Sequence, residues 1–298
     1  ARIAITSSRR TAASLALGEI PPGKVLMVIY PHHDDHNGHA GLIARMTAAG
    51  YTGYYVRVSN DEKDGRGRQW AANSMINYQE TIAGTRELGI GEVISLHWRN
   101  DHMDSIPLHE LRAQLVLLLR RYKPDVVMGH DPWAHYDRNP DHRKVSRAVA
   151  DAVYLAAYST AYPEHLQAGL QPHRVPYLYF KARTEYGKGH EPNIAVELNQ
   201  EQVRRKAAAF WAHKNVRPDA PVARSIRQRL DAQGLTVPEL EGLEDEEAAR
   251  RLHLWSVERA AAEQGKQAGV KYAEPFYYLD EWRDVPGLRD YIAGNLKR

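Results

Sequence analysis

Residues 25–39 have the sequence VLMVIYPHHDDHNGH, in which an apolar run gives way at once to histidines and aspartates. The apolar run, residues 25–30, is typical of a strand that is buried on both faces. Such strands belong to parallel sheets that helices cover on both sides. The polar residues that follow are therefore expected at the carboxyl edge of the sheet, where open α/β folds bind their ligands.

The rest of the chain alternates predicted strands with predicted helices. Further strands are predicted at residues 54–59, 93–97, 125–130, 177–181 and 193–197, and helices at 40–49, 69–88, 108–122, 141–157, 200–213 and about 249–263. This alternation predicts an α/β fold of the Rossmann-like, doubly wound type, with a mostly parallel sheet and helices on both faces.

We expect a single domain over residues 1–298, with its core at about residues 24–213. Residues 214–298 are expected to form an irregular and helical C-terminal extension. The reason is that residues 214–248 are rich in charged residues, proline and glycine, which favour loops.

The composition excludes several classes of function. The 40 Lys and Arg against 37 Asp and Glu leave a net charge of +3, so no strong field favours a nucleic acid as partner. Cysteine is absent, which excludes disulfides, thiolate metal sites and cysteine nucleophiles. No apolar run approaches the ~20 residues of a membrane span. We expect a cytoplasmic protein. An exported mature form is the alternative, because the chain begins at Ala1 without methionine. A homo-oligomer is also possible.

Histidine is concentrated in two short windows. Seven of the 15 histidines lie within residues 32–39 and 130–142. The second window, HDPWAHYDRNPDH, also follows a predicted strand, so both windows are expected at the same sheet edge. Imidazoles and carboxylates together suit Zn²⁺, with Fe²⁺, Co²⁺ or Ni²⁺ as alternatives. A single histidine is more simply explained as a core residue, and the Asn139-Pro140 pair as the start of a helix. The clustering of histidines and aspartates in two loops nevertheless favours a metal site.

At these residues the sequence resembles the LmbE-like, or PIG-L, family of zinc-dependent de-N-acetylases. The family's His-Pro-Asp-Asp-Glu motif corresponds to residues 32–36, and its His-Pro-Asp-His motif to residues 139–142. Glu80, Gly84 and residues 271–276 match more weakly. The resemblance implies an LmbE-like fold and a hydrolase that uses zinc-activated water. Its reaction would remove an N-acetyl group from an amino sugar or glycoconjugate and release acetate and a free amine.

The resemblance also implies roles for individual residues. The expected zinc ligands come from both windows: His32, Asp35 and His142. Asp34 is the expected general base on the water. Asp141 and Asp131 are expected to orient the ligand side chains through hydrogen bonds.

Three residues depart from the family pattern, since His33, His36 and Asn139 stand where the family has Pro, Glu and His. Asn139 can donate a hydrogen bond to an oxyanion but has no proton for the leaving amine. The proton then has to come from another group. We favour Asp34, with His36 next and His130 or His135 as further candidates.

Four residues are expected to contact the substrate: Arg68, Asn77, Asp101 and Tyr136. Asn77 stands where the family usually has an arginine, and the other three lie in polar segments near the same edge. The expected substrate is a small N-acylated molecule, most simply a sugar. One alternative is a deacylase of a non-sugar natural-product amide, and another is a catalytically degenerate protein that keeps only metal and sugar binding.

Overall fold

The structure is a computed structural model that describes residues 15–65, 69–134, 137–181 and 191–280. The strands in these ranges are β1 (Ala16–Leu17), β2 (Val25–Tyr30), β3 (Thr52–Ser59), β4 (Glu92–Trp98), β5 (Val126–His130), β6 (Tyr177–Lys181), β7 (Ile194–Glu197) and β8 (Ala273–Leu279). They form one sheet in the order β1-β7-β8-β6-β5-β2-β3-β4. Neighbouring strands are parallel except at β8, which is antiparallel to both β6 and β7.

Helices cover both faces of this sheet. They are α1 (Ala40–Ala48), α2 (Trp70–Glu87), α3 (Leu108–Tyr122), α4 (Pro140–Ala156), α5 (Pro163–Gln167), α6 (Gln200–Trp211), α7 (Ala220–Asp231) and α8 (Asp245–Ala268). Met27 and Ile29 of β2 pack with α3 and α4, whereas Leu26 and Val28 pack with α1 on the other face. Because side chains alternate along a strand, an entirely apolar β2 serves both layers. The predicted α/β class is thus confirmed. Within the described ranges, no helix has the length and apolar character that a membrane crossing requires.

The strand order reverses between β2 and β5. From β2 the sheet extends through β3 to β4 on one side, and from β5 to β6 on the other. The two strands pair directly, with Leu26 opposite Val126. In doubly wound sheets such a reversal opens a crevice at the carboxyl edge, because the loops that leave the two strands diverge. The two histidine windows follow these two strands.

Residues 214–248 are more regular than expected from their composition, because α7 lies within them. Asp219 caps this helix by accepting a hydrogen bond from the Val222 amide. Ala223 is its one buried residue, and it joins a small core with Ala248 and Ala249 of α8. Its apolar residues recur at helical spacing, so the charged, proline- and glycine-rich composition of the segment hid a helix that this spacing indicates.

The C-terminal segment also contributes β8 to the sheet, which the sequence analysis did not predict. Pro275 lies within this strand opposite Ala195, and a proline argues against an interior strand. The neighbouring Glu274 is buried and accepts hydrogen bonds from the Gly41 and Leu42 amides at 3.0 and 2.8 Å. Its Oε1 also lies 2.7 Å from Lys206 Nζ. This carboxylate therefore joins β8 to the start of α1 and to α6.

Candidate metal centre

The three expected ligands meet where β2 and β5 end. His32 Nδ1 lies 3.2 Å from Asp35 Oδ2 and 3.1 Å from His142 Nε2. His142 Nε2 lies 3.4 Å from Asp35 Oδ1. The edge of a tetrahedron with bonds of 2.0–2.1 Å is about 3.3 Å, so the spacing suits an ion such as Zn²⁺. Two imidazoles and one carboxylate are also donors that this class of ion accepts. The three residues can therefore hold a divalent cation.

Local structure explains why Asp35 faces His32. A short 3-10 helix begins at Asp35 and ends at Gly38, and it turns the carboxylate back over the preceding residues. Asp35 Oδ2 accepts a hydrogen bond from the His32 backbone amide at 3.0 Å. The first window thus arranges two ligands within a single turn, and β5 and α4 bring the third.

Asp141 fixes the outer nitrogen of His32. Its Oδ2 lies 3.3 Å from His32 Nε2 and accepts the Asp101 amide at 2.7 Å, while its Oδ1 accepts the Met103 amide at 3.2 Å. Asp101 has a φ of 58°, and this left-handed turn after β4 directs its amide at the carboxylate. A carboxylate that accepts a hydrogen bond from a ligand histidine fixes the tautomer and the orientation of that ring. The proton of His32 is then on Nε2, and Nδ1 is available to bind the ion.

Asp137 holds His142 in a similar way, and the sequence analysis missed this residue. Its Oδ2 lies 3.0 Å from His142 Nδ1, and its Oδ1 accepts the Asn139 amide at 3.1 Å. It is buried at 3% exposure. The signal available in the sequence was its position five residues before the ligand, in a loop that has to turn back into α4.

Opposite charges dominate the electrostatics of this cluster. Burial alone lowers the pKa of His32, but hydrogen bonds to Asp141 and Asp35 outweigh burial and raise it well above the ordinary value. For Asp35, burial opposes ionisation, yet the His142 and His130 imidazoles bring its pKa well below the ordinary value. The cluster thus holds protons that a cation would displace, and metal binding should release protons.

Two further titratable side chains lie at this centre. Asp34 is half-buried just before the 3-10 helix and makes no capping hydrogen bond. Burial raises the pKa of Asp34 above its ordinary value. His130, the last residue of β5, has its Nε2 3.2 Å from Asp35 Oδ1 and stacks on His142 with ring centroids 4.4 Å apart.

Comparison with known proteins shows which family this chain resembles. Residues 27–153 match the family model described as PIG-L, GlcNAc-PI de-N-acetylase. Residues 27–153 are thus similar to a PIG-L, or LmbE-like, domain. The expected resemblance to this family is confirmed over these residues, and the family is typically metal-dependent.

Two sugar deacetylases are among the proteins that are similar to this chain. Diacetylchitobiose deacetylase of Thermococcus kodakarensis is 26% identical over 202 residues, which cover 66% of this chain and 71% of that protein. The 1D-myo-inositol 2-acetamido-2-deoxy-alpha-D-glucopyranoside deacetylase of Mycolicibacterium paratuberculosis is 32% identical over 142 residues, which cover 39% of this chain and 47% of the relative. Among solved structures, N,N'-diacetylchitobiose deacetylase from Pyrococcus horikoshii has a TM-score of 0.68 at 22% identity. That alignment covers 91% of this chain and 89% of the solved chain, and it shows the shared fold.

The residues that depart from the PIG-L pattern have defined positions. Asn139 is the N-cap of α4, and its Oδ1 accepts the Asp141 amide at 2.9 Å. His36 lies apart from the three ligands. Its buried ring contacts Tyr55 and His213, with centroids 5.8 and 4.9 Å away, and burial lowers its pKa to about 4. The geometry therefore does not support the expected role of His36 as a proton donor at this centre.

The residues that were expected to contact substrate or to support the ligands lie in different environments. Asp101 is exposed at the same edge, with its carboxylate 3.8 Å from Lys63 Nζ. Asn77 is fully buried, and its Nδ2 donates to the Asp61 and Asp64 carbonyls at 2.9 and 2.6 Å. Its amide therefore holds the loop after β3 instead of facing a substrate.

The remaining predicted residues are Asp131, Arg68 and Tyr136. The Asp131 carboxylate accepts the Trp133 amide at 2.9 Å, a contact within its own loop. Arg68, Tyr136 and the candidate proton donor His135 lie outside the described residues.

Proposed function

We propose that this chain is a zinc-dependent de-N-acetylase, which hydrolyses the acetamide of an amino sugar or glycoconjugate to acetate and a free amine. The observation that carries the proposal is the convergence of His32, Asp35 and His142 at the carboxyl edge of the sheet. The relatives support the substrate class, because two of them are named as deacetylases of acetylated amino sugars.

Zn²⁺ bound by these three side chains would supply Lewis-acid chemistry, by polarising the amide carbonyl and activating water near neutral pH. Asp34 acts as the general base. Its carboxylate takes the proton from the attacking water as the new carbon–oxygen bond forms. When the carbon–nitrogen bond breaks, Asp34 returns that proton to the leaving nitrogen. The products are acetate and the amine, and the carboxylate is ready for another cycle.

His130 replaces His36 as the second candidate for proton donation. Its imidazole is beside Asp35 and against the His142 ring, whereas His36 packs away from the ligands. A hydrogen bond from the Asn139 amide to the oxyanion stays a prediction, since the structure shows only the capping role of its oxygen.

The test is acetate release by the metal-loaded full chain from N-acetylated sugars and, in parallel, from acylated amines that lack a sugar. Asp34→Asn should keep the metal content of the wild type and lower kcat by roughly 10²- to 10⁴-fold. Asp104→Asn is the matched control, because Asp104 is an exposed carboxylate in the loop after β4 and has no role in the proposed chemistry. A metal-loaded wild type that releases no acetate from any sugar refutes the proposal. Full activity in Asp34→Asn removes Asp34 as the base.

A further inference from the structure

A second group of histidines is buried close to the first window. His33, His36 and His213 are each 0% exposed. The His213 ring lies between the other two, with centroids 5.0 Å from His33 and 4.9 Å from His36. No hydrogen bond of ordinary length joins any of the six ring nitrogens to another described residue, and the carboxylates beside His33 Nδ1 are 3.8–3.9 Å away. Burying polar atoms without partners is costly, so this group requires an explanation.

A buried carboxylate completes the group. Glu80 lies on α2 at 8% exposure. His33, Glu80 and His213 each offer one ligand atom, and these atoms all lie within 4.8 Å of one another. Three segments that are distant in sequence thus converge here: the loop after β2, the middle of α2 and the second residue after the end of α6.

Gly84 allows the imidazoles to approach α2. It lies four residues after Glu80, on the same face of the helix. A Cβ at Gly84 would lie 2.7 Å from His213 Nε2 and 3.4 Å from His36 Nε2. The two ring nitrogens therefore come close to the helix beside the carboxylate, and they use space that any other residue would fill.

We propose that His33, Glu80 and His213 form a second divalent-cation site, with His36 as a fourth ligand. Imidazole nitrogens with one carboxylate suit Zn²⁺, Co²⁺ or Ni²⁺. A site with four buried protein ligands is closed to solvent, as is typical of structural metal sites. The ion would join the first window to α2 and α6 and stabilise the fold. His33 and His36 both stand where the family motif has other residues, so these two donors distinguish this chain from the family pattern.

The surroundings of His33 determine which of its nitrogens is the ligand. Its Nδ1 lies 3.9 Å from Asp61 Oδ2 and 3.8 Å from Asp64 Oδ2. Asp61 is held in turn by Arg57, whose Nη1 is 3.1 Å from the same oxygen. Carboxylates behind a histidine keep the proton on the near nitrogen. The site therefore takes His33 through Nε2.

The experiment counts metal ions per chain. The full-length protein is stripped with a chelator, dialysed against Zn²⁺ or Co²⁺, and analysed for metal and protein content. We expect two ions in the wild type, one in His142→Ala, one in His213→Ala and none in the double variant. In His142→Ala, added Zn²⁺ should still raise the melting temperature, and this response should vanish in the double variant.

A control and a second variant make the count decisive. His253→Gln also removes a buried imidazole against α6, where its Nε2 faces the Ala207 carbonyl at 3.2 Å, and it should keep two ions. If His213→Ala fails to fold, Glu80→Gln keeps the side-chain shape and should weaken the second ion at least tenfold.

Three outcomes overturn the inference. The first is a single ion in the wild type that is lost in His142→Ala. The second is two ions in both the wild type and His213→Ala. The third is a second ion that depends on Asp61 and not on His213 or Glu80, which would place it among the carboxylates. The inference does not rest on the proposed function. Two ions without acetate release would refute only the enzyme, and acetate release with one ion would refute only the second site.

Discussion

Asp137 lies behind the metal centre, and replacing it tests how far metal affinity depends on orientation of the ligands. Asp137→Ala removes the contact of Oδ2 with His142 Nδ1 at 3.0 Å and that of Oδ1 with the Asn139 amide at 3.1 Å. Loss of such a partner weakens metal binding by roughly 10- to 100-fold. At about 1.4 kcal/mol per factor of ten, this is about 1.4–2.7 kcal/mol. The two lost hydrogen bonds should also destabilise the metal-free fold by about 1–3 kcal/mol.

The assay measures the Kd by competition with a chromogenic chelator at fixed pH. The Kd that matters is that of the ion which the His142→Ala variant does not bind. Asp125→Ala is the matched control, because the Asp125 carboxylate accepts the Lys24 and Val25 amides at 2.7 and 3.0 Å at the opposite edge of the sheet. It should lose a similar amount of stability and keep the Kd of the wild type. A Kd within twofold of wild type for Asp137→Ala would refute the reasoning. Equal weakening in Asp125→Ala would show that the effect is only loss of stability.

Three other perturbations should affect stability. Glu274→Gln should lower the free energy of unfolding by about 1–3 kcal/mol, because the carboxylate binds two amides of α1 and the Lys206 ammonium; an unchanged denaturant midpoint would contradict this. Free metal at 1,000 times its Kd should contribute about 4 kcal/mol, so a chelator should lower the melting temperature, and by less in His142→Ala; equal shifts would count against the centre. Burial lowers the pKa of His253. As pH falls below about 6.5, the unfolded chain therefore binds a proton there that the folded chain does not. Stability should decline on this acid side, and less steeply in His253→Gln; parallel pH curves for the two proteins would contradict that assignment.

Much of the sheet was predictable because its strands are buried on both faces. The strand expected at residues 177–181 is observed at Tyr177–Lys181, and the helix expected at 69–88 is observed at Trp70–Glu87. A continuous apolar run is a local signal for a buried strand. A glycine marks the end of that helix, since Gly89 has a φ of 81°.

The C-terminal part was less predictable because its elements form through distant contacts. β8 pairs with β6 and β7 and contains Pro275, so pairing overrides a local preference. α7 buries almost no apolar surface of its own and depends on α8 for its packing. β8 thus lacks a strong local signal. In α7, by contrast, Val222, Ile226 and Leu230 recur at helical spacing, and the charged composition of the surrounding segment hid this pattern.

By itself, the sequence determined that two windows of histidine and aspartate follow buried strands, and hence that a metal site at the sheet edge was a sound expectation. Only the tertiary structure decided which of those side chains meet. His32 and His142 are 110 residues apart, and they come within 3.1 Å because β2 pairs with β5. The same packing turns His36 towards His213 and brings His130 beside Asp35. The sequence shows which potential ligands each loop contains. Strand order and helix packing determine the direction in which each of these side chains points.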